Sequence, residues 1–168
     1  MADGIFGVEV VTPEQALFAG GARSVVLATS EGDLTVLDGH TPLVGDVVPC
    51  ELKVEQDNGA LARLAVHGGF VQVDTSPGAA EGLAEGDGPL PGLSTRVTIL
   101  AGVAELAEEI DVPRAERAKD AATQRVNELS SGRGAGAEDG EDDVARTEAE
   151  RSLARAELRL AVASGTAA

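Results

Sequence analysis

The spacing of apolar residues changes once along this chain, and that change limits what it can fold into. Between Ile5 and about Leu106, apolar and polar residues alternate in short runs that Gly, Pro, Asn and Asp interrupt. A period of two is typical of half-buried β-strands. Many short strands close together predict a β-sandwich or flattened barrel over residues 1–107.

The alternating runs predict strands at residues 5–11, 23–29, 50–55, 61–67, 70–74 and 96–101. The stretch 31–45 adds a strand, a tight loop and another strand. Because no single strand is stable in water, these segments must pair with one another. The side chains predicted to lie on inward faces, or in runs that are buried on both faces, are Val8, Val10, Leu61, Leu64, Val66, Val71 and Val73.

Beyond residue 107, apolar residues recur at spacings of three and four, which predicts helices. Asp111 is a good N-cap and Pro113 suits a first turn, so one helix is expected from there to Leu129. A second is expected from about Asp143 to about Ala163. Their apolar stripes are Ala115, Ala118, Ala122, Val126 and Leu129, and then Ala145, Ala149, Leu153, Ala156, Leu160 and Ala163. Residues 108–168 thus predict an antiparallel helical hairpin.

Two segments show neither period. Residues 75–95 contain no Lys or Arg and are rich in Gly and Pro, which predicts an exposed, disordered loop between two strands. An arm that contacts a partner is the alternative. Residues 131–143 join the two predicted helices. Their Gly-Arg-Gly-Ala-Gly portion follows no strand and precedes a run of acidic residues, so phosphate binding there is disfavoured.

The charge of the chain disfavours several kinds of partner. It has 13 basic and 29 acidic residues and a formal net charge of −16, which repels nucleic-acid phosphates and anionic lipid surfaces. No apolar run reaches the ~18 residues that a membrane helix needs, and the N-terminus lacks the pattern of a secretory signal. We expect a soluble cytoplasmic chain that binds no nucleic acid and does not insert into a membrane.

Residues that carry most enzyme chemistry are scarce. The chain has two histidines, His40 and His67, and one cysteine, Cys50, and it lacks the spacings of a serine hydrolase, a P-loop or a zinc site. We therefore predict no catalytic residue and no metal site. Cys50 is expected in a buried strand, His40 in a turn, and His67 at a strand end, where Gly68 and Gly69 permit a bulge or a close backbone approach.

Three segments carry a resemblance to a known family. Residues 30–43, Ser-Glu-Gly-Asp-Leu-Thr-Val-Leu-Asp-Gly-His-Thr-Pro-Leu, resemble the signature of the epsilon subunits of F-type ATP synthases. Residues 8–20, Val-Glu-Val-Val-Thr-Pro-Glu-Gln-Ala-Leu-Phe-Ala-Gly, and 67–73, His-Gly-Gly-Phe-Val-Gln-Val, are similar to the same family in order and spacing. The N-terminal domain of that family is a β-sandwich, in agreement with the period of two. The family usually joins the strands on either side of residues 75–95 by a tight turn, so this segment departs from its pattern.

The resemblance implies a non-catalytic central-stalk subunit. Its sandwich is expected to bind the gamma subunit and to rest on the membrane c-ring, so that it transmits the rotation that proton flow drives. Asp33 and His40 are the residues implied at the c-ring or gamma interface. The implied location is the cytoplasmic face of the cell membrane, as a peripheral part of the synthase.

The resemblance also implies a regulatory ATP site. Residues 110–115, Ile-Asp-Val-Pro-Arg-Ala, match the Ile/Leu-Asp-x-x-Arg-Ala motif of ATP-binding epsilon subunits. No other cofactor is expected. Helix capping alone also explains Asp111, and Ala121 stands where the nucleotide-binding members have a further Arg. The residues implied at the site are Glu105, Ile110, Asp111, Arg114, Arg151 and Arg155.

Arg151, Arg155 and Arg159 recur every four residues and form one basic edge of the second predicted helix. Ordinary pairing of Arg155 with Glu148, and of Arg151 with Glu150, would explain this edge without any partner. The resemblance implies instead that the helix extends into the catalytic hexamer of alpha and beta subunits and blocks ATP hydrolysis.

A different class of function fits the same architecture. A β-sandwich ligand-binding module with a helical oligomerisation tail also needs an apolar core and a helical hairpin. Co-purification distinguishes the two, because a stalk subunit forms a tight complex with gamma, whereas an oligomerisation tail associates with itself.

Overall fold

The computed structural model describes residues 4–76, 94–131 and 139–165, without the side chains of residues 139–142. Most of the predicted 75–95 loop and of the predicted 131–143 linker lies outside the described residues. The chain forms two compact units, Met1–Ala107 and Glu108–Ala168.

The N-terminal unit is built from β-strands. Among the described residues these are β1 Phe6–Val11, β2 Ala16–Thr29, β3 Gly32–Val36, β4 Leu43–Val47, β5 Cys50–Gln56, β6 Leu61–Val66, β7 Gly69–Thr75, β8 Thr95–Ala101 and β9 Ala104–Leu106. A short 3₁₀ turn, Ala107–Glu109, follows. The stretch 31–45 forms a strand, a loop and a strand, as predicted.

The sandwich arises because β2 takes part in two layers. Residues 16–22 of β2 pair with β1, whereas residues 22–29 pair with β3 on one side and β5 on the other. One layer therefore has the order β4-β7-β8-β1-β2, and the other has the order β3-β2-β5-β6-β9. β1 and β8 run parallel, and the other pairs of described strands are antiparallel.

A core of mainly aliphatic side chains, with Phe6 fully buried among them, lies between the layers. Leu64, Val66 and the inward-facing valines of β1 and β7 are buried as predicted. The prediction for Leu61 was wrong, because this side chain is 55% exposed. Leu61 and Leu64 are three residues apart, and an odd spacing puts two side chains on opposite faces of a strand.

Two strand segments were missed by the sequence analysis. β2 begins at Ala16 rather than at residue 23, because its first half pairs with β1. This half is rich in Ala and Gly, which have low strand propensity, so its pairing overrides the local preference. β9 is only three residues long and pairs with β6, and such a short strand has no detectable period.

The C-terminal unit is the predicted helical hairpin. α1 spans Val112–Ser130, with Asp111 as its N-cap, as expected. α2 spans Asp139–Ser164, so its predicted start near Asp143 was wrong. Asp139, Glu141, Asp142 and Asp143, which were assigned to the linker, therefore belong to α2. Acidic residues are favourable in the first turn of a helix.

Small residues let the two helices pack closely. Ala115, Ala122, Ala149 and Ala156 are buried as predicted. Ala118 was assigned to this stripe wrongly: it is exposed, and the neighbouring residue Lys119 is half-buried. Lysine can bury its aliphatic stem while its charged end remains accessible, so it can occupy such a boundary position.

Candidate functional site

The turn after β3 belongs to residues 30–43, the segment that resembles the family signature. We call residues 38–42 the end loop. Gly39 has a φ of +75°, in the left-handed region that favours glycine, and the backbone N–H of His40 donates to the carbonyl of Leu37 at 3.1 Å. The end loop is therefore a tight, hydrogen-bonded turn between β3 and β4.

Two threonines fix the end loop to the sheet. The Thr95 hydroxyl accepts from the backbone N–H of Gly39 at 2.9 Å and donates to Asp38 Oδ1 at 3.0 Å. The Thr75 hydroxyl donates to the carbonyl of His40 at 2.6 Å. Thr75 and Thr95 are directly opposite each other on β7 and β8. Sequence reasoning missed this network because it joins residues far apart in the chain.

The structure places Asp33 near the start of β3 and His40 beyond the end of that strand. Asp33 is exposed and belongs to β3, where it pairs with Ala28. His40 is half-buried in the end loop, and its Nδ1 lies 2.8 Å from the carbonyl oxygen of Thr41. The three residue steps from Asp33 to Val36 alone span about 10 Å.

An apolar group lies on the outer face of the β4-β7-β8 layer. Val44 is 74% exposed, Phe70 61% and Leu100 51%. Phe70 and Leu100 are directly opposite each other on β7 and β8. We call these three residues the apolar face. Their position at outward sites of alternating strands was a sequence signal that could have revealed them.

Glu51 lies on the outer face of the β3-β2-β5-β6-β9 layer, yet its side chain is buried. The Glu51 side chain is 3% exposed and forms ion pairs with Lys53, at 3.2 Å, and with Arg63. Two cations thus offset the cost of burying its charge. Sequence analysis did not identify this cluster. It requires β5 and β6 to be in register, and their alternation alone did not reveal the pairing.

The predicted ATP site includes three residues at or next to the start of α1. Asp111 Oδ1 accepts from the backbone N–H of Arg114 at 3.0 Å and so caps α1. Ile110 is buried, and the Arg114 side chain is exposed. Glu105 belongs to β9 of the N-terminal unit, opposite Ala65 of β6.

The basic edge of α2 is partly engaged in ion pairs. Arg155 Nη2 lies 2.9 Å from Glu148 Oε1, as the pairing hypothesis expected. The hydrogen bond and positive charge of Arg155 hold the pKa of the Glu148 carboxyl below its usual value. Glu150 pairs with Arg146 at 3.2 Å rather than with Arg151. Adjacent residues on a helix do not face each other, which accounts for the difference.

One contact between the helices indicates the level at which they face each other. Lys119 Nζ lies 3.2 Å from Glu157 Oε1. In antiparallel helices that rise 1.5 Å per residue, this pair puts Ala121 level with Arg155. It puts Arg114 ~10 Å along the axis from Arg155 and ~17 Å from Arg151.

An open groove of about 510 Å³ lies beside this pair, between the first turns of α1 and the last turns of α2. Its walls combine apolar residues, among them Val112 and Leu160, with Glu116 and the Lys119–Glu157 pair. The groove thus adjoins the turn that carries Arg114.

Cys50 is half-buried against the core, and burial raises the pKa of its thiol above the usual value, so the thiol is protonated at neutral pH.

Within the described ranges, no group of three or more His, Cys, Asp or Glu residues could hold a metal ion. The helices of the described part of the chain are not apolar enough over 18 residues to cross a membrane.

Comparison with known proteins identifies both units. The family profile for the "ATP synthase, Delta/Epsilon chain, beta-sandwich domain" matches residues 5–77, and that for the "long alpha-helix domain" of the same chain matches residues 108–164. The ATP synthase epsilon chain of Ruminococcus albus is 32% identical over 163 residues, which cover 95% of this chain and 97% of the relative. The epsilon chain of Symbiobacterium thermophilum is 34% identical over 164 residues, covering 97% and 94%.

A solved structure agrees in fold. A chain in the cryo-EM structure of the Euglena gracilis mitochondrial ATP synthase, which contains OSCP, F1 and the c-ring, is 20% identical and superimposes with a TM-score of 0.64. The match covers 92% of this chain and 81% of that one. With both units matched in order by the family profiles and by near full-length relatives, this chain belongs to the delta/epsilon family of F-type ATP synthase subunits.

Proposed function

We propose that this chain, a central-stalk subunit of an F-type ATP synthase, has no active site of its own and acts through its surfaces. It couples rotation of the c-ring to the catalytic hexamer. The support is the match to epsilon chains over nearly its full length, together with a sandwich whose candidate contact residues are surface groups. The chain would be peripheral, at the cytoplasmic face of the cell membrane.

The observation that carries this proposal is the apolar face. An exposed cross-strand pair of Phe70 and Leu100 beside Val44 is unfavourable in water and is typical of a site that another protein covers. In a central-stalk subunit, we assign this face to the gamma subunit. The end loop and Asp33 are assigned to the c-ring.

Binding to purified gamma subunit tests this assignment. We expect Leu100→Ser to weaken gamma binding by about tenfold or more, because it removes a central apolar contact. Leu61→Ser is the matched control: Leu61 is 55% exposed, as against 51% for Leu100, but lies on β6 in the other layer. The measurement is affinity by titration, with unfolding midpoints for both variants.

Equal affinities of the two variants would contradict the assignment of the apolar face. Failure of the unmodified chain to bind gamma, combined with self-association through the helical hairpin, would instead support the ligand-binding module with an oligomerisation tail.

A regulatory role of the helical hairpin is the second part of the proposal. The edge formed by Arg151, Arg155 and Arg159 would meet acidic groups of the alpha and beta subunits when α2 extends into the catalytic hexamer. This contact would inhibit ATP hydrolysis. Small buried residues such as Ala115 and Ala156 support the idea, because they bury little area and leave the hairpin easy to open.

Regulatory MgATP would bind at the start of α1. Asp111 holds the first turn, so the exposed Arg114 can direct its guanidinium towards phosphate. Arg155 would have to exchange Glu148 for a phosphate, which predicts weak affinity. Glu105, Ile110 and Arg151 remain predicted members of this site.

A further inference from the structure

The end loop is held by hydroxyl groups from two strands that lie far from it in sequence. We infer that Thr95, together with Thr75, is a positioning residue that presents His40 to the c-ring. This inference rests on the proposed contact between the end loop and the c-ring. It adds two residues that neither the signature nor the motif at the start of α1 includes.

Thr95 is the main support of the loop. It occupies an inward position of β8, in line with the buried residues Val97 and Ile99, and it is 0% exposed. A buried hydroxyl is costly unless it is hydrogen-bonded. Thr95 directs both its acceptor and its donor to the end loop, at Gly39 and Asp38. A polar residue in an otherwise apolar row is therefore accounted for by the loop.

Further contacts restrict the same loop. Thr75 donates to the carbonyl of His40, so the histidine backbone is attached directly. On the other side, a Cβ added to Gly4 would overlap the carboxyl group of Asp38, so the chain at residue 4 lies against that side chain. Displacing the loop would break hydrogen bonds to a hydroxyl that water does not reach. His40 is thus held in one backbone position.

Thr95→Val tests the inference, because valine keeps the shape of threonine and removes the hydroxyl. We expect the Gly39 amide to exchange with deuterium about tenfold faster, since it loses its acceptor. Capture of purified c-ring by the complex of gamma with the full chain should fall several-fold. Thr95→Ser, which keeps the hydroxyl, should restore both values.

Thr98→Val is the matched control, since Thr98 lies on the same strand but faces outward. It should change neither readout. Unfolding midpoints separate a local effect from loss of the fold. If Thr95→Val does not fold, Thr75→Val decides, because it removes only the bond to the carbonyl of His40.

Wild-type exchange at Gly39 and wild-type capture in Thr95→Val would overturn the inference. So would an equal loss of capture in Thr98→Val. If the unmodified chain with gamma captures no c-ring, the proposed function fails, and the exchange comparison still shows whether Thr95 positions the loop.

Discussion

At the residue scale, Gly69 is required by a close approach of two strands. A Cβ added there would overlap the carbonyl oxygen of Leu100 and lie 3.0 Å from the Cα of Ala101. The close backbone approach predicted after His67 is therefore confirmed. Gly45 differs, because a Cβ added there would meet the Val71 side chain at 3.7 Å, an ordinary contact.

We predict that Gly69→Ala lowers the free energy of unfolding by more than about 1 kcal/mol, since the backbone of β8 must shift to admit the methyl group. Gly45→Ala, the same change on the adjoining strand, should alter it by less than about 1 kcal/mol. Urea denaturation of both variants measures the difference. Equal unfolding midpoints in the two variants would contradict this prediction, because they would show that the β8 backbone shifts without loss of stability.

At the element scale, local chemistry was predictable and long-range placement was not. Asp111 was identified as a cap because capping depends only on residues within one turn. Ala118 was wrongly assigned to the buried stripe, because the residues of a helix that become buried depend on how its partner helix packs against it. In this hairpin the partner helix contacts Lys119 through Glu157. The end loop was identified as a candidate site from the resemblance to the family signature. Its contacts with Thr75 and Thr95 could not be predicted in the same way, because they depend on the register of β7 and β8.

The start of α1 carries a prediction of its own. In calorimetric titration of the full chain with millimolar MgATP, we expect weak binding that Arg114→Ala reduces by about 10- to 100-fold, the loss of one charge-assisted hydrogen bond. Arg125→Ala is the control, because Arg125 is also exposed on α1 and pairs only weakly with Glu128, at 3.5 Å. An absence of heat, or equal affinity in both variants, would rule out this site.

At the scale of the whole molecule, charge is distributed unevenly between the two units. Nine of the 13 basic residues lie in residues 108–168, although the chain as a whole carries a net charge of −16. The unit proposed to meet acidic partner surfaces thus holds most of the cations, but its nine basic and 14 acidic residues still give it a net charge of −5. The complementary charge therefore comes from the basic edge of α2 and not from the unit as a whole. Complementary charge favours encounter and orientation more than it favours affinity.

We predict that ending the chain after Ser130, which removes α2, raises ATP hydrolysis by the assembled synthase. The cause would be loss of the contact between α2 and the catalytic hexamer. Replacing Arg151, Arg155 and Arg159 together by Gln keeps the helix and should give a smaller rise. Steady-state ATPase rates of assembled enzyme measure both, and identical rates in all three forms would contradict inhibition by α2.

The parallel pairing of β1 with β8 has a consequence for biosynthesis. Gly7 is in register with Arg96, so the first strand acquires this neighbour only after about a hundred residues have left the ribosome. Contacts so distant in sequence slow folding. Until then the nascent chain exposes one edge of β1, and the hairpin of β1 with β2 must persist without its closing strand.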